Sequence, residues 1–123
     1  MFFPNEVELR GAGGSDEPIE CLRRLDNGRT LVMAKLGREG CMALDGDSAV
    51  HVPAFAVEAV DTTGAGDSFN AGFLHAWLGR RPLKEAMRFA AACGALSTRA
   101  MGGTGSQATE SEAEEMLNGT TGN

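Results

Sequence analysis

The stretch Val60-Asp61-Thr62-Thr63-Gly64-Ala65-Gly66-Asp67-Ser68-Phe69-Asn70-Ala71-Gly72-Phe73 constrains this chain more than any other. An apolar run ends at Val60, a glycine-rich turn follows, and the spacing predicts a helix opening at about Asp67. Phe69, Phe73, Leu74, Trp77 and Leu78 then recur at helical intervals. A tight turn feeding a helix N-terminus is suited to an anion, because unpaired backbone N–H groups converge there and the helix dipole adds partial positive charge. Gly64 and Gly66 allow the backbone to approach a ligand closely.

Asp67 places a carboxylate inside that anion site. A carboxylate competes with a bound phosphate unless it has a task, and one such task is to accept the proton of a hydroxyl that attacks a phosphoryl group. The plain alternative is that Asp67 is a helix N-cap, a common position for Asp.

The run Asp61 to Phe69 resembles the C-terminal signature of the ribokinase-like (PfkB) carbohydrate kinases over nine consecutive residues. The resemblance implies an ATP-dependent kinase that uses Mg²⁺ and phosphorylates a hydroxyl of a sugar or related small molecule. Asp67 is then the catalytic base, and Gly64, Ala65 and Gly66 form the anion hole. Other phosphate motifs fit less well. Phe69 occupies the third glycine position of G-x-G-x-x-G, and the Walker pattern is absent. Gly66-Asp67-Ser68 also matches the G-D-S block of some esterases. The histidines are His51 and His75, with no late Asp-x-x-His to serve a nucleophilic Ser68.

From the start of the chain, Phe2-Phe3-Pro4 reads as the end of a buried strand. Asn5 with Glu8 three residues on reads as a helix cap with its reciprocal partner. The same residues resemble the family's N-x-x-E motif, which implies that Glu8 organises Mg²⁺ through water and that Asn5 lies near the nucleotide. The two roles are compatible, since Mg²⁺ keeps several waters and takes few protein ligands. Gly11-Ala12-Gly13-Gly14-Ser15 is expected to be a flexible loop. Asp16 is expected to cap a helix through Ile19, Leu22 and Leu25, stopped by Asn27-Gly28.

The apolar run Thr30 to Leu36 is expected to form a buried, parallel strand. It leads into Gly37-Arg38-Glu39-Gly40, placed where ligands bind in open α/β sheets, past the carboxyl end of a strand. The segment resembles the family's strand-Gly-x-x-Gly, so Gly37 and Gly40 are nucleotide candidates. Lys35 either approaches a phosphate or snorkels to solvent. Cys41 to Pro53 reads as a hairpin turned at Asp45-Gly46, with His51 outward on a strand and without a role.

The helix from Asp67 is expected to stop at Gly79, with Phe69, Phe73 and Trp77 in the core and His75 at the boundary. Pro82 opens a further helix whose Leu83, Ala86, Met87, Ala90 and Gly94 share a face. Ala91 falls where the family's helix runs beside the adenine. By the same resemblance a monovalent cation such as K⁺ has its candidate site at Asp61, Thr63, Ser97, Ala100, Gly102 and Ser106. Thr109 to Glu112 is a capping box for a last helix, Ala113 to Leu117, and residues 118–123 form a polar tail.

The fold class is therefore α/β: a ribokinase-like (Rossmann-like), mostly parallel sheet flanked by helices, with an antiparallel hairpin. Residues 1–117 resemble the C-terminal part of the family's domain, without most of its sugar pocket. Three explanations stand at this point: a truncated product or misplaced start codon, one piece of a split kinase, and a non-catalytic nucleotide-binding remnant. The partner expected beside the small-molecule substrate is a second copy in a homodimer or the missing N-terminal half. The net charge of −6 argues against a nucleic-acid or membrane-surface partner. Three cysteines without metal-ligand spacing read as reduced thiols, and Met1 leads into no basic, apolar leader, so the expected location is cytoplasmic.

Overall fold

A computed structural model describes residues 1–55, 65–98 and 110–121. The chain divides into two compact units, Met1–Pro53 and Ala54–Asn123.

In the first unit, the chain enters as an extended segment and turns into α1, Glu6–Gly13. Helix α2, Pro18–Leu25, follows, and the chain then returns alongside its own start. Phe2 bridges Val32 and Asn5 bridges Lys35, both in parallel. The Phe2 N–H donates to the Leu31 carbonyl at 2.9 Å, and the Met33 and Lys35 N–H groups donate to the Phe2 and Pro4 carbonyls at 2.8 Å. The strand-like pairing of Phe2-Phe3-Pro4 therefore holds, but the expected burial is met only at Pro4: Phe2 is exposed and Phe3 half-buried. The two helices supply the long crossover that parallel pairing requires.

The named strands are β1 (Ala34–Lys35), β2 (Cys41–Asp45) and β3 (Ser48–Val52), in the order β1-β2-β3. All their pairings are antiparallel. This corrects the expectation of a mostly parallel sheet: among the described residues, parallel pairing is confined to the two bridges. The reason lies in the connections. Short turns separate β1 from β2 and β2 from β3, and a short turn can only reverse the chain. At the hairpin Asp45 pairs with Ser48, so the two-residue loop is Gly46-Asp47, one position beyond the expected pair. Gly46 has φ 62°, the left-handed value that a first-position hairpin glycine supplies.

The expected flexible loop at Gly11–Ser15 is also corrected. Helix α1 runs through Gly13 and ends on Gly14, which has φ 68° and donates its N–H to the Arg10 carbonyl. Helical glycines are weak on propensity alone, but Gly13 is buried where α1 meets α2. A Cβ there would lie 2.4 Å from the Cys21 Cβ. Close packing decides the conformation. The α2 cap is Glu17 rather than Asp16, and the Ser15 hydroxyl accepts the Glu17 N–H. At the far end Asn27 Oδ1 accepts the N–H groups of Arg29 and Thr30, so the expected Asn-Gly stop is a polar turn. The core of this unit is Leu9, Cys21, Leu22, Val32, Ala34 and Leu36, with Leu25, Met42 and Leu44 at its edge.

In the second unit, α3 (Ala65–Leu78) and α4 (Leu83–Ser97) form a helical hairpin, and α5 (Glu110–Thr121) packs on α4. Helix α3 begins two residues before the expected Asp67. Its end is set by Arg80, at φ 63°, with Arg80 N–H on the Trp77 carbonyl and Arg81 N–H on the Ala76 carbonyl. That bonding pattern is a Schellman cap with arginine, not glycine, in the left-handed position. Small residues bring α3 and α4 close together. A Cβ on Gly72 would lie 2.8 Å from the Cys93 sulfur, and one on Gly94 would lie 3.3 Å from the Ala65 carbonyl.

Phe69 and Phe73 are buried, as expected, and the Phe73 and Trp77 rings stack at 5.7 Å. Leu74 and Leu78 are exposed instead. Arg81 pairs with Glu114 of α5 and lies over the Phe89 ring at 4.7 Å, which ties α5 to the hairpin. Helix α5 continues past Leu117 to Thr121, into the expected polar tail, because extending a formed helix is far easier than starting one.

The three cysteines are free thiols and buried. Burial pushes the Cys41 thiol up to about 12. Burial pushes Cys93 up to about 11, with Arg81 pulling it down and Glu114 adding to the rise. Both stay protonated and inert at neutral pH. Among the described residues no helix is long and apolar enough to cross a membrane.

Candidate functional site

The candidate residues of the first unit lie around the end of β1. Asn5 ends the extended segment and caps α1. Its Oδ1 accepts the Glu8 N–H at 2.9 Å, and Glu8 Oε1 accepts the Asn5 N–H at 3.0 Å. This reciprocal box satisfies two N–H groups that a helix start otherwise leaves unpaired. It also holds the Glu8 carboxylate in a fixed place at the exposed end of α1. The cap uses one carboxylate oxygen and leaves the other for water.

The bridge between Asn5 and Lys35 sets the start of α1 beside the end of β1. Lys35 is half-buried. The chain then enters a 3₁₀ turn, Gly37–Glu39. Gly37 and Gly40 have φ 58° and 92°, values that a residue with a Cβ adopts only under strain. The Leu36 N–H donates to the Gly40 carbonyl at 2.8 Å and the Gly40 N–H to the Gly37 carbonyl at 3.1 Å. A Cβ on Gly37 would stand 3.6 Å from Glu6 Oε1, so the first turn of α1 lies against this loop. The structure thus brings Asn5, Glu8, Lys35, Gly37 and Gly40 together.

His51, to which the sequence reading gave no role, belongs to the same neighbourhood. Its Nε2 is hydrogen-bonded to the Glu39 carbonyl. The signal was present in the hairpin: a two-residue loop at Gly46-Asp47 fixes Met42 opposite His51, next to the loop that precedes β2.

In the second unit, Ala65, Gly66 and Asp67 form the first turn of α3. Gly66 and Asp67 are exposed, and Ala65 is half-buried. That turn lies against α4 at Gly94. Ala91, Gly94 and Ser97 follow at three-residue intervals along α4, which puts them on one side of the helix. The Ser97 hydroxyl donates to the Gly94 carbonyl at 2.8 Å. Ser68, the esterase alternative, is buried, and its hydroxyl has no partner among the described residues, unlike a nucleophile held by a base.

Gly64, Asp61, Thr63, Ala100, Gly102 and Ser106 lie outside the described residues. Among the described residues no three His, Cys, Asp or Glu side chains stand together as a metal cage. A single oriented carboxylate working through water is the kind of donor set that suits Mg²⁺.

A family model described as pfkB family carbohydrate kinase matches residues 1–111. The chain is 40% identical over 88 residues to an uncharacterized sugar kinase of Archaeoglobus fulgidus, covering 72% of this chain and 35% of that protein. Other relatives bear the names ribokinase, deoxyribokinase and probable fructokinase. The structure of ribokinase from Thermotoga maritima superposes with a TM-score of 0.82 at 32% identity, over 94% of this chain and 41% of that one. That of a putative ribokinase II from E. coli in complex with ATP and Mg²⁺ superposes with a TM-score of 0.84 at 27% identity, over 94% and 38%. The chain therefore spans roughly two fifths or less of the length of these proteins.

Proposed function

Because the chain belongs to the pfkB family of carbohydrate kinases, we propose that it carries the nucleotide site and catalytic base of an ATP-dependent sugar kinase. The observation that carries this reading is Asp67, exposed in the first turn of α3 directly after the sequence Gly64-Ala65-Gly66. Asp67 accepts the proton of a sugar hydroxyl as that oxygen attacks the γ-phosphorus of ATP. The new O–P bond forms as the bond to the β-phosphate oxygen breaks, and ADP leaves. Backbone N–H groups of Gly64, Ala65, Gly66 and Asp67 meet the developing negative charge. Asn5, Lys35, Gly37, Gly40 and Ala91 hold the nucleotide. Glu8 orients water around Mg²⁺, which when bound offsets phosphate charge. The cation site at Asp61, Thr63, Ser97, Ala100, Gly102 and Ser106 belongs to the same proposal. The substrate class is a small sugar or related alcohol, in keeping with the names of the relatives.

Titration of the purified chain with MgATP, followed by heat release, tests the nucleotide part. Sub-millimolar binding that weakens when Mg²⁺ is withheld is the expected result, and no binding removes the nucleotide assignment. Glu8→Gln then separates metal organisation from capping. Gln keeps an acceptor oxygen for the Asn5 N–H but loses the charge, so the unfolding midpoint is expected to fall only by the small helix-dipole contribution while the Mg²⁺ needed for half-maximal ATP binding rises. An unchanged Mg²⁺ titration returns Glu8 to the cap alone.

A second reading has its own support. The chain spans 35% of the Archaeoglobus relative and 41% of the Thermotoga structure. MgATP binding without transfer to any sugar would make it a nucleotide-binding unit, either on its own or as one piece of a split kinase.

A further inference from the structure

We propose that His51 is a positioning residue that locks the Gly37–Gly40 loop in its ligand-ready shape; the proposal rests on the nucleotide reading above. The Glu39 carbonyl can only accept, so the His51 ring nitrogen facing it, Nε2, carries the hydrogen. This bond closes a small circuit. The peptide unit between Glu39 and Gly40 has its oxygen held by His51 and its N–H held by the Gly37 carbonyl at 3.1 Å. Gly40 has φ 92° and ψ −129°, a region open in practice only to glycine. A glycine in such a region rotates easily once one end of its peptide is released, and His51 is the side chain that holds that end.

The opposite side of the loop is held differently. The Glu6 carboxylate stands against Gly37, and the bridge from Asn5 to Lys35 anchors the residue before Leu36. The loop is thus held between the first turn of α1 and the His51 side chain of β3. Arg38 and Glu39, the two loop residues that carry side chains, are both exposed, so neither anchors the loop in the core. Locking such a loop before a ligand arrives removes an ordering cost from binding. His51 is itself exposed on β3, so substituting its side chain opens no cavity in the core.

The test compares the parent chain with His51→Ala and His51→Gln. A glutamine amide can donate to the same carbonyl, whereas alanine cannot. One hydrogen bond predicts that His51→Ala binds MgATP about two- to tenfold more weakly, with Gly40 amide exchange accelerated by a similar factor. His51→Gln is expected to recover binding to within about twofold and to keep the parent's unfolding midpoint, while His51→Ala lowers that midpoint by no more than the roughly 2–8 °C that one hydrogen bond carries in a chain of this size. Equal MgATP affinity in the parent and His51→Ala overturns the proposal. So does a loss that follows the unfolding midpoint and is not recovered by glutamine, since that describes a structural role alone. If the parent itself fails to bind MgATP, the nucleotide reading falls separately. Gly40 exchange then decides the lock: acceleration in His51→Ala upholds it, and an unchanged rate overturns it.

Discussion

Asp67→Asn is expected to bind MgATP within about twofold of the parent and to transfer the phosphoryl group to a sugar about 10²–10⁴-fold more slowly. The substitution keeps the side chain's shape and an acceptor oxygen for the α3 N-terminus. It removes the capacity to take a proton. Deleting a negative charge beside phosphate does not weaken nucleotide binding, so the loss falls on kcat. The capping alternative predicts the reverse. A carboxylate in the first turn of a helix interacts with the dipole by about 0.3–1 kcal/mol, so a pure cap would lose a little stability and leave the rate unchanged. Initial rates of ADP formation with ribose and fructose as acceptors, beside thermal unfolding of both proteins, distinguish the two. Equal rates remove Asp67 from the base role.

What the sequence revealed were features whose physics is local. The Asn5–Glu8 box is a matter of three-residue spacing and two hydrogen bonds, and the structure shows both. The hairpin followed from a glycine turn between apolar runs, and α3 and α4 from their apolar periodicity. What stayed hidden depends on which distant residues meet. Nothing near Gly13 in sequence signals that Cys21 will press against it, so a glycine-rich stretch read as a loop rather than as the last turns of α1. The run Thr30 to Leu36 looked like one strand of a parallel sheet. It splits its pairing between a parallel neighbour, Phe2 to Asn5, and an antiparallel one, β2. His51 had no role because its partner is a carbonyl twelve residues earlier, reached only once the hairpin register is known.

The same contrast between local and distant effects gives opposite signs to one substitution at two places in α1. In an open helix Gly→Ala stabilises by about 0.5–1 kcal/mol, because glycine loses more backbone freedom on folding. At Gly11 a new Cβ would meet nothing within 4 Å, so Gly11→Ala is expected to gain that amount. At Gly13 the new Cβ would lie 2.4 Å from the Cys21 Cβ and 2.6 Å from its Cα. Non-bonded carbons sit at about 3.5–4.0 Å, so α1 and α2 must separate by about 1 Å. Overpacking of this kind costs about 1–3 kcal/mol and outweighs the helix gain. No side-chain rotation relieves it, since backbone is part of the obstruction. Separation would also open the contacts of Leu9 and Leu22 and strain the bonds from Arg24 to the Gly13 and Gly14 carbonyls. Because α1 carries Asn5 and Glu8 at its other end, MgATP affinity is expected to fall with stability in Gly13→Ala and to stay unchanged in Gly11→Ala. Urea unfolding of both variants checks the sign. A Gly13→Ala protein as stable as Gly11→Ala would mean that α1 and α2 do not meet through Gly13 and Cys21.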